Sequence, residues 1–235
     1  GRMSANFHSI IRHNLCRGKY KFARRPVLIN NWEATYFDFN EEKILSIARQ
    51  ASELGIEMLV LDDGWFGSRD SDNAGLGDWF VNTDKLKGGL TDLVTGINGL
   101  GMKFGIWIEP EMVNEDSRLY REHPDWALTI PGRKPCRSRN QLVLDMSRSE
   151  VRDYVFDSIA AVLKSANVEY VKWDMNRSIC DVYSAVLPKE RQGEVYHRYV
   201  LGIYDLMERF TSSFPNILFE GCSGGGGRFD PAILY

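Results

Sequence analysis

The sequence predicts an α/β fold, a truncated (β/α)8 TIM barrel of which about the first five or six strands are present. Three observations predict it. Short apolar runs alternate with longer segments of helical period, the pattern of βαβ units on a parallel sheet. Carboxylates and tryptophans cluster where each run ends, as they do at the C-terminal mouth of such a barrel. At 235 residues the chain has the size of one large α/β domain.

A polar, basic lead-in over residues 1–25 is expected to act as a linker, with the N-terminal part of the barrel over 26–235. Runs at 27–30, 57–61, 104–108, 170–173 and 217–219 read as five staves. A sixth run at 142–144 is shorter and follows no long helix, so it reads as a strand or as an extended piece of loop. Between the first two runs, residues 41–54 set Ile44, Ile47, Ala48 and Ala51 on one face, with Asn40 as N-cap and Gly55 past the end. Ser147 and Glu150 form a capping-box pattern ahead of Val151, Tyr154, Val155, Ser158 and Val162 at helical spacing. A third helix is expected over 194–210. A closed barrel needs eight staves, so these would leave open sheet edges. The apolar run at 231–235 is unusual for a natural terminus, and both ends are read as cuts.

Composition excludes several classes of function. Hydrophobic residues at 43% and charged residues at 26% sit near globular averages, and no apolar run approaches the length of a membrane span. A net charge of -3 gives no electrostatic footprint for nucleic acid or an anionic membrane, so neither is expected as a partner. Cys16, Cys136, Cys180 and Cys222 form no CxxC pair, and His8, His13, His123 and His197 are scattered. Neither a disulfide framework nor a metal site is indicated, no cofactor is called for, and a reducing, cytoplasmic location is expected. The opening GRMSANFHSI lacks the pattern of a signal peptide.

The chemistry gathers at the run ends. Lys172 and Asp174 are two apart, so on a strand both point to one face, where the ammonium would favour an ionised carboxylate suited to nucleophilic attack. An ordinary strand-end ion pair is the plainer alternative. Asp62 and Asp63, in a loop kinked by Gly64, could both turn inward to accept hydrogen bonds from vicinal sugar hydroxyls, or could form a simple turn pair. Trp32, Trp65 and Trp107 offer flat faces for a pyranose, although lone tryptophans are more often core. Gly221-Cys222-Ser223-Gly224-Gly225 matches a G-x-S-x-G elbow, but no helix and no later histidine follow, and close backbone approach to a sugar fits better. Glu109 and Glu111, flanking Pro110, read as orienting residues.

The strings LINNWEATYF, LDDGWFG, GIWIEPEMV, NQLVLDMS, VKWDMNR and FEGCSGGGGRFDP, in that order, resemble family 36 of the glycoside hydrolases, the bacterial α-galactosidases. The resemblance implies a retaining hydrolase that removes terminal α-galactosyl residues from sugars such as melibiose and raffinose through a covalent galactosyl-aspartate. It implies Asp174 as the nucleophile, with Lys172, Asp62, Asp63, Trp107, Arg139, Cys222 and Gly224 around the galactose and Trp32 toward the aglycone. It also implies a second carboxyl, an acid/base aspartate, expected beyond Tyr235, so that the chain alone would be inactive. A homo-oligomeric parent is expected. Raffinose-synthase-like galactosyl transfer, α-N-acetylgalactosaminidase action and, in another class, a non-catalytic sugar-binding pseudoenzyme remain alternatives at this point.

Overall fold

An apolar run too short for a helix buries both its faces only by lining up with others, and a parallel alignment needs a crossover of a dozen or more residues between neighbours. A computed structural model, which describes residues 1–234, follows this logic. Strands β1 (Leu28–Asn30), β2 (Met58–Leu61), β3 (Lys103–Ile108), β6 (Tyr170–Trp173) and β7 (Leu218–Gly221) form one parallel sheet in the order β1-β2-β3-β6-β7. The run at 142–144 is not one of its staves. Its strand β5 (Leu142–Val143) pairs antiparallel with β4 (Met112–Val113) in a separate two-stranded sheet.

The helices are α1 (Arg2–Asn14), α2 (Trp32–Thr35), α3 (Glu41–Glu53), α4 (Gly89–Gly99), α5 (Arg118–Glu122), α6 (Ser149–Ser165), α7 (Val195–Ser213) and α8 (Ser223–Gly226). Between β4 and β5 lie α5, one turn long, and a short 3-10 turn at Pro124–Trp126, so no long crossover helix carries the chain back into the main sheet there. Helix α3 starts as its sequence dictates: Asn40 Oδ1 accepts the Lys43 N–H at 2.9 Å, and Gly55 leaves the helix at φ 79°. The capping box at Ser147 does not form. Arg148 is the N-cap, the Ser147 hydroxyl donates to Asp145 Oδ1 at 2.5 Å, and Glu150 pairs with Arg148. Helix α4 escaped the sequence reading, and α1 buries no residue. No helix among the described residues is long and apolar enough to cross a membrane.

The period of two along each strand separates the two faces of the sheet. Leu59, Leu61, Phe104, Ile106, Ile108, Val171 and Trp173 belong to the large core under the helices. Met58, Val60 and Tyr170, with Leu218, form a small cluster on the opposite face. Gly105 lies between them in register, and a Cβ there would stand 2.7 Å from Tyr170 Cδ1, so glycine is what lets that ring cross the strand. Two residues further along each strand, this second face turns polar.

Helix α7 packs on the turn before α6 so closely that a Cβ at Gly202 would lie 1.9 Å from the Met146 carbonyl oxygen. Gly202→Ala therefore has to displace the helix and is expected to lower stability by about 1–3 kcal/mol or more, as overpacking does. Urea denaturation of the full-length protein measures it. An unchanged midpoint would mean that the two helices slide at no cost.

Candidate active site

Each strand delivers polar groups just past its C-terminal end. Trp107, Lys172 and Glu220 are neighbours in register on β3, β6 and β7, and the ladder continues through the Asp174 N–H on Ile108 O and the Cys222 N–H on Trp173 O, both at 2.8 Å. Asp62, Trp107, Lys172 and Asp174 thus share the face set by Val60, Gly105 and Tyr170.

Asp174 sits in a cup of donors. Its Oδ1 accepts the Gly224 and Met175 N–H groups at 2.9 Å each, and its Oδ2 accepts from the Asn176 amide at 2.8 Å and the Trp107 indole at 3.1 Å. Burial pushes the carboxyl's pKa up, but the donors from Gly224, Asn176, Trp107 and Met175 outweigh it and leave the group below the ordinary aspartate value. A carboxylate buried to 6% exposure stays ionised for this reason.

The ammonium expected to tune Asp174 is committed elsewhere. Lys172 Nζ donates to Asp62 Oδ2 at 2.9 Å. Burial lowers the Lys172 pKa, but Asp62 and, more weakly, Asp174 raise it further, so the ammonium stays charged between the two carboxylates. Asn30 donates to the same Asp62 oxygen, and Asp62 Oδ1 accepts the Asp63 N–H at 3.0 Å. Asp63 faces a different partner: Arg69 clasps both its oxygens, Nε to Oδ1 at 2.9 Å and Nη2 to Oδ2 at 2.8 Å. Burial raises the Asp63 pKa against the pull of that guanidinium. Gly64, at φ 105°, makes the turn that parts the two side chains.

The other expected residues are placed unevenly. Trp65 is core: it is fully buried and its indole donates to Trp107 O at 2.9 Å. Trp107 is 2% exposed and stacked on Phe66, so it meets the site through its N–H and not through an open ring face. Trp32, half-buried at the end of β1, packs edge-on against Tyr36 and Phe37. Arg139 is exposed, and it and Asn140 both hold left-handed backbone, at φ 52° and 58°. Burial raises the Cys222 thiol's pKa, and Asp174 beside it adds to the rise, so the thiol stays neutral. Ser223 has an elbow-like φ of 46° but is buried; His123 stacks on Trp126 and His197 is exposed, so neither is placed as its base.

Asn176 and Arg69 are site residues the sequence reading did not single out, although Asn176 lies two residues beyond Asp174. Glu109 and Glu111 stand behind the site with defined partners. Glu109 accepts the Asn176 N–H at 2.6 Å and the Gln141 amide at 2.9 Å. Burial lifts its pKa to about 7, against the Asn176 N–H and with the help of Asp174. Glu111, wholly buried, accepts from Trp173 Nε1 at 2.9 Å, Tyr199 Oη at 2.6 Å and Arg228 at 2.8 and 3.0 Å. Among the described residues, no group of three or more His, Cys, Asp and Glu could hold a metal ion.

The arrangement has close counterparts among known proteins. The sequence profile of the melibiase family matches residues 1–235. The α-galactosidase AgaA of Geobacillus stearothermophilus is 59% identical over 99% of this chain, which covers 32% of that protein. α-Galactosidase 1 of Pediococcus pentosaceus is 56% identical over 99% of the chain, again covering 32% of the relative. The crystal structure of the GH36 α-galactosidase AgaA matches 99% of this fold with a TM-score of 0.97, over 32% of its own chain. AgaA variants have been solved in complex with stachyose and with raffinose. The chain thus spans about a third of the length of these relatives.

Proposed function

The chain belongs to the melibiase family, and on that premise we propose that it forms the nucleophile-bearing part of a retaining α-galactosidase acting on raffinose-type oligosaccharides. The observation that carries this reading is the four-donor cup that keeps the buried Asp174 ionised beside the Asp62–Lys172 pair. Asp174 attacks the anomeric carbon of a terminal galactose, and the C–O bond to the leaving sugar breaks as a galactosyl-aspartate forms. A second carboxyl, about 5 to 5.5 Å from the nucleophile, protonates the departing oxygen and then takes a proton from the water that releases galactose. That acid/base group is assigned to the part of the full-length protein outside this chain. The same part would supply the strands that join the outer edges of β1 and β7 and close a (β/α)8 barrel, with residues 1–25 as the link into it. Chemistry of this kind, run by two carboxyls, calls for no metal or cofactor.

Asp62, with the Lys172 ammonium, is assigned to vicinal galactose hydroxyls, and Asp63 contributes the lone pairs that Arg69 leaves free. Arg139, Cys222 and Gly224 complete the galactose subsite, and Trp32 takes the aglycone side. Turnover of p-nitrophenyl α-galactoside and raffinose by the full-length protein tests the reading, with the α-glucoside as control. Asp62→Ala is expected to lower galactoside kcat/KM by at least the roughly 1–3 kcal/mol that an unpaired buried hydroxyl costs, because it also strands the Lys172 charge. Asp63→Ala should cost less on galactosides and more in thermal stability, since it strands Arg69. Equal losses on galactosides and glucosides would remove both carboxylates from sugar recognition.

A further inference from the structure

We propose that Glu109 is a positioning residue, a buried clasp that holds the nucleophile segment and the loop bearing Arg139 in register around Asp174. The inference rests on the α-galactosidase reading for its kinetic consequence but not for its geometry. One carboxyl oxygen accepts the backbone N–H of Asn176, whose side-chain amide donates to Asp174. The other accepts from the Gln141 amide, two residues past Arg139. Both Glu109 and Gln141 are 1% exposed, so neither contact is exchanged for bulk water. Arg177 ties the same two segments independently, donating from Nη1 to the carbonyls of Gln141 and Cys136. The left-handed backbone at Arg139 and Asn140 needs such restraint, since non-glycine residues hold it only when their surroundings impose it.

A carboxyl at this place acts without touching the sugar. If Asn176 moves, Asp174 loses one of the donors that keep it ionised and aimed, and misplacement of about 1 Å at a reacting group can cost on the order of 10²-fold in rate. A pKa pushed up to about 7 fits a supporting role, since the neutral carboxyl, like a carboxamide, still presents one oxygen to the Asn176 N–H. The alternative, that Glu109 passes a proton to the leaving group, predicts that the amide is as damaging as any other change.

The test compares Glu109→Gln and Glu109→Leu in the full-length protein. Glu109→Gln should keep turnover within about tenfold of wild type, because the introduced carboxamide can accept from Asn176 while the Gln141 amide turns over to accept in its place. Glu109→Leu should lower kcat on the order of 10²-fold and move the acid limb of kcat/KM upward, as Asp174 loses support. Hydrogen exchange over 136–141 and 174–182 should accelerate together in the leucine variant and not in the glutamine variant, whether or not any galactoside is turned over. Should the leucine variant fail to fold, Gln141→Met cuts one arm alone and should accelerate exchange in 136–141 while raising KM more than it lowers kcat. Unchanged exchange in folded Glu109→Leu or Gln141→Met overturns the clasp. A glutamine variant as inactive as the leucine one overturns it in favour of proton transfer by Glu109.

Discussion

Asp174→Asn in the full-length protein is expected to fold like the wild type and to lose about 10⁴-fold or more in kcat, the range that removal of a nucleophile reaches. The asparagine fills the same volume and keeps Oδ1 under the Gly224 and Met175 N–H groups. Its new NH2 faces two donors, Trp107 Nε1 and Asn176 Nδ2. The Asn176 amide can turn over to accept, which leaves one indole N–H unpaired at a cost of roughly 1–3 kcal/mol, well short of unfolding. Rate is a separate matter, because a neutral amide cannot form the acylal bond to C1. Asp174→Gly with added azide should restore turnover and give an inverted glycosyl azide, since the small anion enters the emptied cup. In the wild type, Asp174 as the proposed nucleophile should set an acid limb of kcat/KM below the ordinary aspartate value of about 3.9, because its donors outweigh burial. The sign is fixed: Asp174 favours the folded state above its unfolded pKa, and that contribution disappears as pH falls through the lower folded value. Near-wild-type turnover by Asp174→Asn would remove this carboxylate from the mechanism.

The parallel strands were legible because each is an apolar run bounded by turn residues, and β2 is buried at every position. Helix α3 was legible from its cap and its stop. Helix α4 carries the same signal, Leu90, Leu93, Val94 and Ile97, but Gly88, Gly89, Gly96 and Gly99 obscured it. Gly96 is there for packing: a Cβ would stand 2.8 Å from Leu45 Cδ2 on α3. In the site, the shared face of Lys172 and Asp174 follows from a period of two and needed no fold. Partner choice did. Lys172 pairs with Asp62, 110 residues away, and Asp63 turns back to Arg69, because strand register and the Gly64 turn decide which oxygen faces which cation. The donors on Glu111 come from positions 62, 88 and 117 residues downstream, and no local pattern in the sequence announces such a convergence.

That convergence makes Glu111→Leu the substitution expected to cost most in stability. The carboxylate is wholly buried and accepts from the Trp173 indole, the Tyr199 hydroxyl and both terminal nitrogens of Arg228, so it joins β6, α7 and the segment after α8. Burial and the Glu111 charge hold the Tyr199 phenol far above its usual pKa, so it remains a donor at any working pH. Leucine keeps about the same volume but leaves two neutral donors and a largely buried guanidinium unpaired. Breaking a buried ion pair from one side costs about 3–5 kcal/mol, and each orphaned neutral donor adds roughly 1–3. Even with heavy non-additivity, that is a large share of the roughly 5–15 kcal/mol typical of a folded protein. Thermal melting should show an early or absent transition. Arg228→Leu alone should be milder, because Glu111 keeps Trp173 and Tyr199, and the double variant should be more stable than the sum of the two predicts, since removing both charges leaves neither stranded. Arg228 also anchors the chain just past the glycine run, so Arg228→Leu should raise the Asp174 pKa by loosening the Gly224 N–H from its carboxylate. A Glu111→Leu protein melting within a degree or two of wild type would show that water reaches these donors, and that the carboxylate is not what joins the three elements.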